Sequence, residues 1–526
     1  MPQAADRMAT PFDLDAMLAD GDWQTWYGWP VSMTELDRLQ TAWRRALLDF
    51  MIAAPSGLLQ DTALLSFGPV LSRTIPLTES AQCLDLADQR GFEMLGGPPE
   101  VDYLRGERAG DDIPDDTTPH IKPIISARHP LVRGILTTRR YQPLWRLAAS
   151  FIAPTGKLVA HNELIFDDLR RRKERVRFHD SGSLFNSARD PRAKAKDDDA
   201  TALARELTQR LVGATTVGEP FRSRLSTLVE AKLGQIFRRT MTDMLSLRDA
   251  DLPELLYGNS GGQYAARAMA IEILRRGGRT CFAAHAGSSV MVRMSDALAM
   301  REFAVASRFI VQTPALADQP EFVETQQLIA PIRHTEVDGG GGHRHILSLP
   351  LSRTRPAGKR PRLIYVSTLS RGFERSGVKT LPEVSYLDWQ VRLARWLKTL
   401  PVELICKPHP GGYFKGRPHP IESDATASYA PFEDVMGEAD VFLFDNCAST
   451  TMWEAVCTDR PIVYIDMDLF DFHQRIDPLF RKRCRVVRAH YDEQHRPWFD
   501  AHELREAILA PATPDSTDIR RLLTGE

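Results

Sequence analysis

The sequence predicts an α/β protein of two doubly wound, Rossmann-like domains preceded by a helical extension. Three observations carry the prediction. The chain has 526 residues, too many for one ordinary core and suited to two or three domains. From Arg362 to Val487, apolar runs of strand length alternate with stretches of helical periodicity. A weaker form of the same rhythm runs from Gly262 to Gln312, ahead of a Gly-, Pro- and Arg-rich stretch that reads as a linker.

Composition limits the function classes. Hydrophobic residues make up 43% and charged residues 26%, the balance of a globular chain. Lys plus Arg number 67 against 69 Asp plus Glu, so no global field gathers a polyanion and nucleic acid is not an expected partner. The six cysteines (Cys83, Cys281, Cys406, Cys447, Cys457, Cys484) form no CxxC pair, and several lie in apolar runs, as free thiols do in a reducing cytosol. The first residues lack the basic start and apolar run of a secretory signal. Arg, Asp or Glu interrupts every stretch approaching the roughly 20 apolar residues that span a bilayer. The expected location is the cytoplasm, with peripheral contact to the inner face of the membrane left open.

Residues 1–60 read as a helical, polar extension, with Trp23, Trp26, Trp29 and Trp43 to bury. Residues 61–334 form the expected N-terminal Rossmann-like domain, with insertions. Within it, Gly262 to Arg276 reads as a helix, Thr280 to Ala284 as a strand, Ser295 to Ala306 as a helix and Phe309 to Gln312 as a strand, while Arg189 to Thr201 reads as an exposed charged loop. Residues 335–361 are the linker, in which Gly339 to Gly342 suit a hinge. Residues 362–510 form the C-terminal Rossmann-like domain. Its strands are Arg362 to Ser367, Val402 to Lys407, Asp440 to Phe444, Pro461 to Ile465 and Arg485 to Val487, and its helices Tyr386 to Leu400, Pro431 to Ala439 and Ser449 to Cys457. Strands that are apolar throughout imply a parallel sheet covered on both faces, whose ligands sit beyond the carboxyl ends of the strands. Residues 511–526 are a tail.

Two segments at such ends carry the chemistry. The run Leu404 to Gly412 ends a strand in Lys407-Pro408-His409-Pro410-Gly411-Gly412, where a cation, an imidazole and backbone amides make a phosphate cradle stiffened by two prolines. Phe442 to Thr451 carries a strand through a polar turn to Ser449-Thr450-Thr451, with Ser449 at the N-cap and the positive end of a helix dipole beside it. Each has a plainer reading, a loop histidine capping a carbonyl and a hydroxyl capping a helix. Two such seats on strand ends expected to be adjacent favour one anion site.

Further along that helix, Glu454-Ala455 precedes the Pro461-led apolar strand, an order that resembles the donor segment of two-domain GT-B glycosyltransferases. The resemblance implies that Glu454 holds the ribose hydroxyls, where the plain alternative is a solvated helix face. His409-Pro410 and Ser449-Thr450 resemble the phosphate-binding motifs of bacterial sialic acid and Kdo transferases. Asp445 to Thr450 and Pro461 to Leu469 are similar to segments of the CDP-glycerol and ribitolphosphate transferases of teichoic acid synthesis. These likenesses cover a quarter of the chain. They imply two facing domains of GT-B type and a CMP- or CDP-linked donor, with uridine nucleotides still open.

The base is expected across the cleft. His285 ends a strand among small residues, and a histidine near pKa 6.5 takes a proton from a hydroxyl at cellular pH. The teichoic acid transferases place a His-Gly base at the comparable point, where this chain has His285-Ala286-Gly287. A structural histidine is the alternative. No metal or cofactor is expected, and Asp466-Met467-Asp468 is read as part of a rim. The expected function is metal-independent transfer of a sugar from a nucleotide donor to a glycan or lipid-linked glycan hydroxyl in bacterial surface polysaccharide synthesis. His285 and His409 stand as catalytic, and Lys407, His409, Pro410, Gly411, Ser449, Thr450, Thr451 and Glu454 bind nucleotide and phosphate. The alternatives are a CDP-polyol phosphotransferase and a non-catalytic glycan-binding protein.

Overall fold

A computed structural model describes residues 8–19, 21–110, 113, 156–159, 162–284, 288–342, 346, 360–371, 380–511 and 515–525. Two parallel sheets organise it. The strands in chain order are β1 Ala9–Pro11, β2 Glu93–Leu95, β3 Gly156–Leu158, β4 Val176–Phe178, β5 Leu255–Gly258, β6 Arg279–Ala283, β7 Arg308–Val311, β8 Glu336–Gly339, β9 Arg362–Val366, β10 Glu403–Lys407, β11 Thr426–Ala427, β12 Val441–Phe444, β13 Ile462–Asp466, β14 Arg485–Tyr491 and β15 Pro497–Phe499. The first sheet has the order β4-β3-β5-β6-β7-β8 and the second β11-β10-β9-β12-β13-β14-β15. Only β15 runs antiparallel to its neighbour in these sheets. β1 and β2 form a separate parallel pair.

Strands β9, β12 and β13 are buried along nearly their whole length, because helices cover both faces of the sheet. Numbered within its own unit, the second sheet reads 3-2-1-4-5-6-7, whose first six positions are the doubly wound order in which the chain leaves β9 for one side and returns at β12 for the other. Its switch point therefore lies between β9 and β12. The first sheet reverses between β3 and β5.

Several expectations shift. The helical part does not stop at residue 60: helices Leu58–Leu65, Phe67–Arg90 and Pro99–Arg105 continue it. Asp197–Gly213 and Phe221–Ser246 pack onto it as well. Its first long helix, Met33–Ala53, opens with a capping box between Ser32 and Glu35 and buries Trp43. The charged loop ends at residue 196, since Asp197, Asp198 and Asp199 form the first turn of a helix, at the positive end of its dipole.

The span expected as linker begins instead with β8, the edge strand of the first sheet. The glycines expected to act as a hinge serve close packing there. A Cβ at Gly339 would lie 2.3 Å from Pro314 Cα, and one at Gly342, where φ is +86°, would lie 1.9 Å from the Thr524 carbonyl. That carbonyl belongs to helix Thr517–Thr524, which occupies half of the expected tail. The helix docks across both units: Thr313 Oγ1 donates to the Leu522 carbonyl (2.7 Å), and Arg520 Nη1 donates to the Cys457 carbonyl (2.9 Å).

Other contacts join the units. Val292 and Phe472 make an antiparallel bridge, flanked by Arg293 N–H to the Asp471 carbonyl (2.8 Å) and His473 N–H to the Met291 carbonyl (2.9 Å). The N-terminal segment reaches the second unit through Tyr27 and Ser385 (2.5 Å) and through Tyr413 Oη, which donates to Asp15 (2.5 Å). All six cysteines are free and buried. No helix among the described residues is long and apolar enough to cross a membrane.

Candidate active site

The carboxyl edge of the second sheet carries the predicted residues. β10 ends in Lys407, a residue 5% exposed, whose ammonium donates to the Ala430 carbonyl (2.5 Å). Burial pulls its pKa below the ordinary lysine value, while Glu433 opposes the shift. The loop that follows turns His409 outward. Its Nδ1 accepts the Gly411 N–H (3.1 Å), so the neutral ring carries its proton on Nε2 and presents a donor. Burial first, then Lys407 and Arg371, lower its pKa, and the ring is neutral at pH 7. The expected free amides are partly spent: Gly411 N–H on His409, and Tyr413 N–H on the Ser370 carbonyl (2.8 Å). Gly412, at φ +82°, lets this loop press against the loop after β9, since a Cβ there would meet the Ser370 carbonyl at 2.1 Å. Pro410 is exposed beside it.

β12 ends in the turn Asp445 to Ser449. Ala448 N–H donates to Asn446 Oδ1 (2.8 Å), which shapes the turn. Ser449 stands at the N-cap of helix Thr450–Val456 but makes no side-chain cap bond. Its hydroxyl lies instead 2.5 Å from that of Thr451, and Thr450 is exposed.

The two seats share an edge but not neighbouring strands. β9 lies between β10 and β12, a separation of about 10 Å at ordinary strand spacing. The gap is filled by the loop that leaves β9, Ser367 to Arg371, a segment the sequence reading passed over. Ser367 is buried with its hydroxyl unpartnered among the described residues, and the Arg371 guanidinium is near enough to depress His409. A lone Ser or Arg after a strand has no spacing to mark it. The strand order is what exposes it, because β9 and β12 flank the switch point.

Glu454 is 8% exposed, so it does not lie on a solvated helix face. Burial, with Glu433 as a nearby like charge, pushes its carboxyl up to about 7. At neutral pH it is poised between acid and carboxylate. Only the carboxylate accepts hydrogen bonds at both oxygens from a diol.

His285 lies outside the described residues. At the carboxyl edge of the first sheet, Asn162 after β3 donates to Asn259 after β5 (2.6 Å) and to the Ala284 carbonyl (3.4 Å), spanning that sheet's switch point with neutral amides. Asp466 and Asp468 line a separate cleft of about 620 Å³ with Phe470, Phe472, Arg481 and Arg488. Among the described residues no group of three or more His, Cys, Asp or Glu is placed to hold a metal ion.

No protein-family model and no curated protein matches the chain. Among solved structures it is similar to UGT89C1 of Arabidopsis thaliana, at 14% identity over 72% of this chain and 89% of that one, with a TM-score of 0.32. A variant of Os79 from O. sativa in complex with UDP aligns at 12% identity over 77% and 93%, with a TM-score of 0.32. The glycosyltransferase SnogD from Streptomyces nogalater aligns at 12% over 67% and 92%, with a TM-score of 0.24. Likenesses at scores this low say nothing of substrate or reaction, which rest on the chain's own geometry.

Proposed function

We propose that the chain is a glycosyltransferase of GT-B type. It takes a nucleotide-activated sugar, CMP-linked by preference, on the second sheet and passes the sugar to a hydroxyl of a glycan or lipid-linked glycan held at the first. One observation carries the reading. The Pro-His-Pro loop and the Ser449 turn open on the same carboxyl edge, on either side of β9, beside the switch point where doubly wound sheets bind nucleotides.

In the reaction the bond between the anomeric carbon and the donor phosphate oxygen breaks, and one forms from that carbon to the acceptor oxygen. The acceptor proton passes to a base, for which His285 is the candidate. The electron pair leaves with the phosphate, whose charge meets His409 Nε2–H, the Lys407 ammonium and the hydroxyls of Ser449, Thr450 and Thr451. Glu454 takes the ribose. The Asn162–Asn259 pair supplies uncharged hydrogen-bonding groups to acceptor hydroxyls. Surface polysaccharide assembly is the setting that the sequence resemblance suggests.

Thermal-shift titration tests the donor. CMP and CDP should raise the melting temperature more than UDP or GDP, since a ligand at a hundred times its Kd adds about 2.7 kcal/mol. His409→Ala should abolish the shift. A largest shift with UDP would move the donor to uridine nucleotides, and no shift with any of the four would end the reading.

A further inference from the structure

Beneath the switch point lies a buried carboxylate that this reaction scheme does not use. Asp445, the first residue after β12, is 1% exposed, and no cation reaches it among the described residues. Its oxygens accept three side-chain hydrogen bonds: from Tyr365 Oη on β9 (2.5 Å), and from Tyr386 Oη (2.8 Å) and Trp389 Nε1 (2.9 Å) on helix Glu383–Leu397. Those three donors are themselves buried. A carboxylate in such a place is costly unless its hydrogen bonds are complete and fixed in direction.

One donor differs from the other two. Tyr386 Oη also accepts the backbone N–H of Thr368 (3.0 Å), which lies in the loop leaving β9. The hydroxyl thus links the start of the Asp445–Ser449 turn to the Ser367–Arg371 loop across the switch point. Tyr365 has no such second bond to a loop amide. Trp389 can only donate, so it cannot relay.

We propose that Asp445 and Tyr386 are positioning residues, a tie that holds the loop after β9 and the turn after β12 at one spacing. A nucleotide phosphate entering between them then meets Ser367 and Ser449 already in place, with less ordering to be done on binding. The tie itself rests on hydrogen bonds alone. Its effect on affinity rests on the nucleotide-binding reading above.

Two variants separate the tie from plain packing. Tyr386→Phe and Tyr365→Phe each remove one hydroxyl from Asp445, but only Tyr386→Phe releases Thr368. Hydrogen exchange on the ligand-free chain should show the Thr368 amide exchanging about tenfold faster in Tyr386→Phe, and near the wild-type rate in Tyr365→Phe, because exchange reports local opening. The Kd for the nucleotide that wild type binds best should rise about tenfold in Tyr386→Phe and less than about threefold in Tyr365→Phe, at similar melting temperatures. Equal effects of the two variants on exchange, or none, would overturn the tie. A wild-type chain that binds no nucleotide would instead remove the donor reading and leave the exchange result to decide the tie.

Discussion

Glu454→Gln should be more stable than the wild type above pH 7 and indistinguishable from it near pH 4. The Glu454 carboxyl is almost wholly buried, with Glu433 as a nearby like charge, and its pKa stands at about 7 against 4.5 when free. Folding therefore takes up a proton between those two values. Stability contributed by the protonated group is intact below pH 4.5 and lost as pH rises through 7, because in that window the native state binds more protons than the unfolded state. A rise from 4.5 to about 7 is worth about 3 kcal/mol. Glutamine keeps the shape and cannot ionise, so it escapes this cost. Denaturation at pH 4, 6 and 8 reads the effect as a gap between the two chains that opens with pH. A constant gap, or one that closes, would mean that Glu454 is not buried as an acid. The same proton bears on ligand: a ribose diol donates to the ionised form, so wild-type nucleotide affinity should climb as pH rises through 7. Glu454→Gln should bind more weakly and without that slope.

The residues legible in advance were those that repeat or stand out in spacing. The apolar runs at Ile364, Cys406, Phe442 and Val463 gave away a parallel sheet, because burial on both faces leaves no alternation to misread. The Pro-His-Pro loop and the Ser449 turn were visible for the same local reason. What no local pattern carries is the order of strands. Adjacent in the chain's alternation, β10 and β12 were expected side by side, yet β9 separates them, and with it come Ser367 and Arg371 at the centre of the edge. The Asp445 hydrogen bonds were equally hidden, since Tyr365, Tyr386 and Trp389 lie 80, 59 and 56 residues away. Helix Phe67–Arg90 escaped for another reason. It buries Thr74, Thr78, Glu79, Gln82 and Asp85 beside Leu71 and Leu84, and it contains Pro76. A helix buried all round, with polar residues among its apolar ones, shows no stripe for periodicity to find.

Arg267→Leu should cost about 5 kcal/mol, near the top of what single substitutions do. The guanidinium is 1% exposed and its bonds all run to main-chain carbonyls: Nε to Leu64 (2.6 Å), Nη1 to Gly261 and Arg301 (each 2.9 Å), and Nη2 to Met300 (2.8 Å). It also stands over the Phe67 ring, 5.1 Å from the centroid. Leu64 belongs to the helical part, Gly261 to the loop after β5, and Met300 and Arg301 to the last turn of helix Ser295–Arg301, whose carbonyls have no helical partner. One side chain thus satisfies carbonyls from three segments. Leucine fills part of the volume and satisfies none of them, and each buried group left unpaired costs about 1–3 kcal/mol. Arg267→Lys keeps the charge but not the planar fork, so it should recover less than half of the loss. The melting temperatures of the two variants test this, with Arg267→Leu well below Arg267→Lys and both below wild type. If leucine were tolerated within about 1 kcal/mol, these carbonyls would have to find water, and the helical part would not depend on Arg267 for its seat against the first sheet.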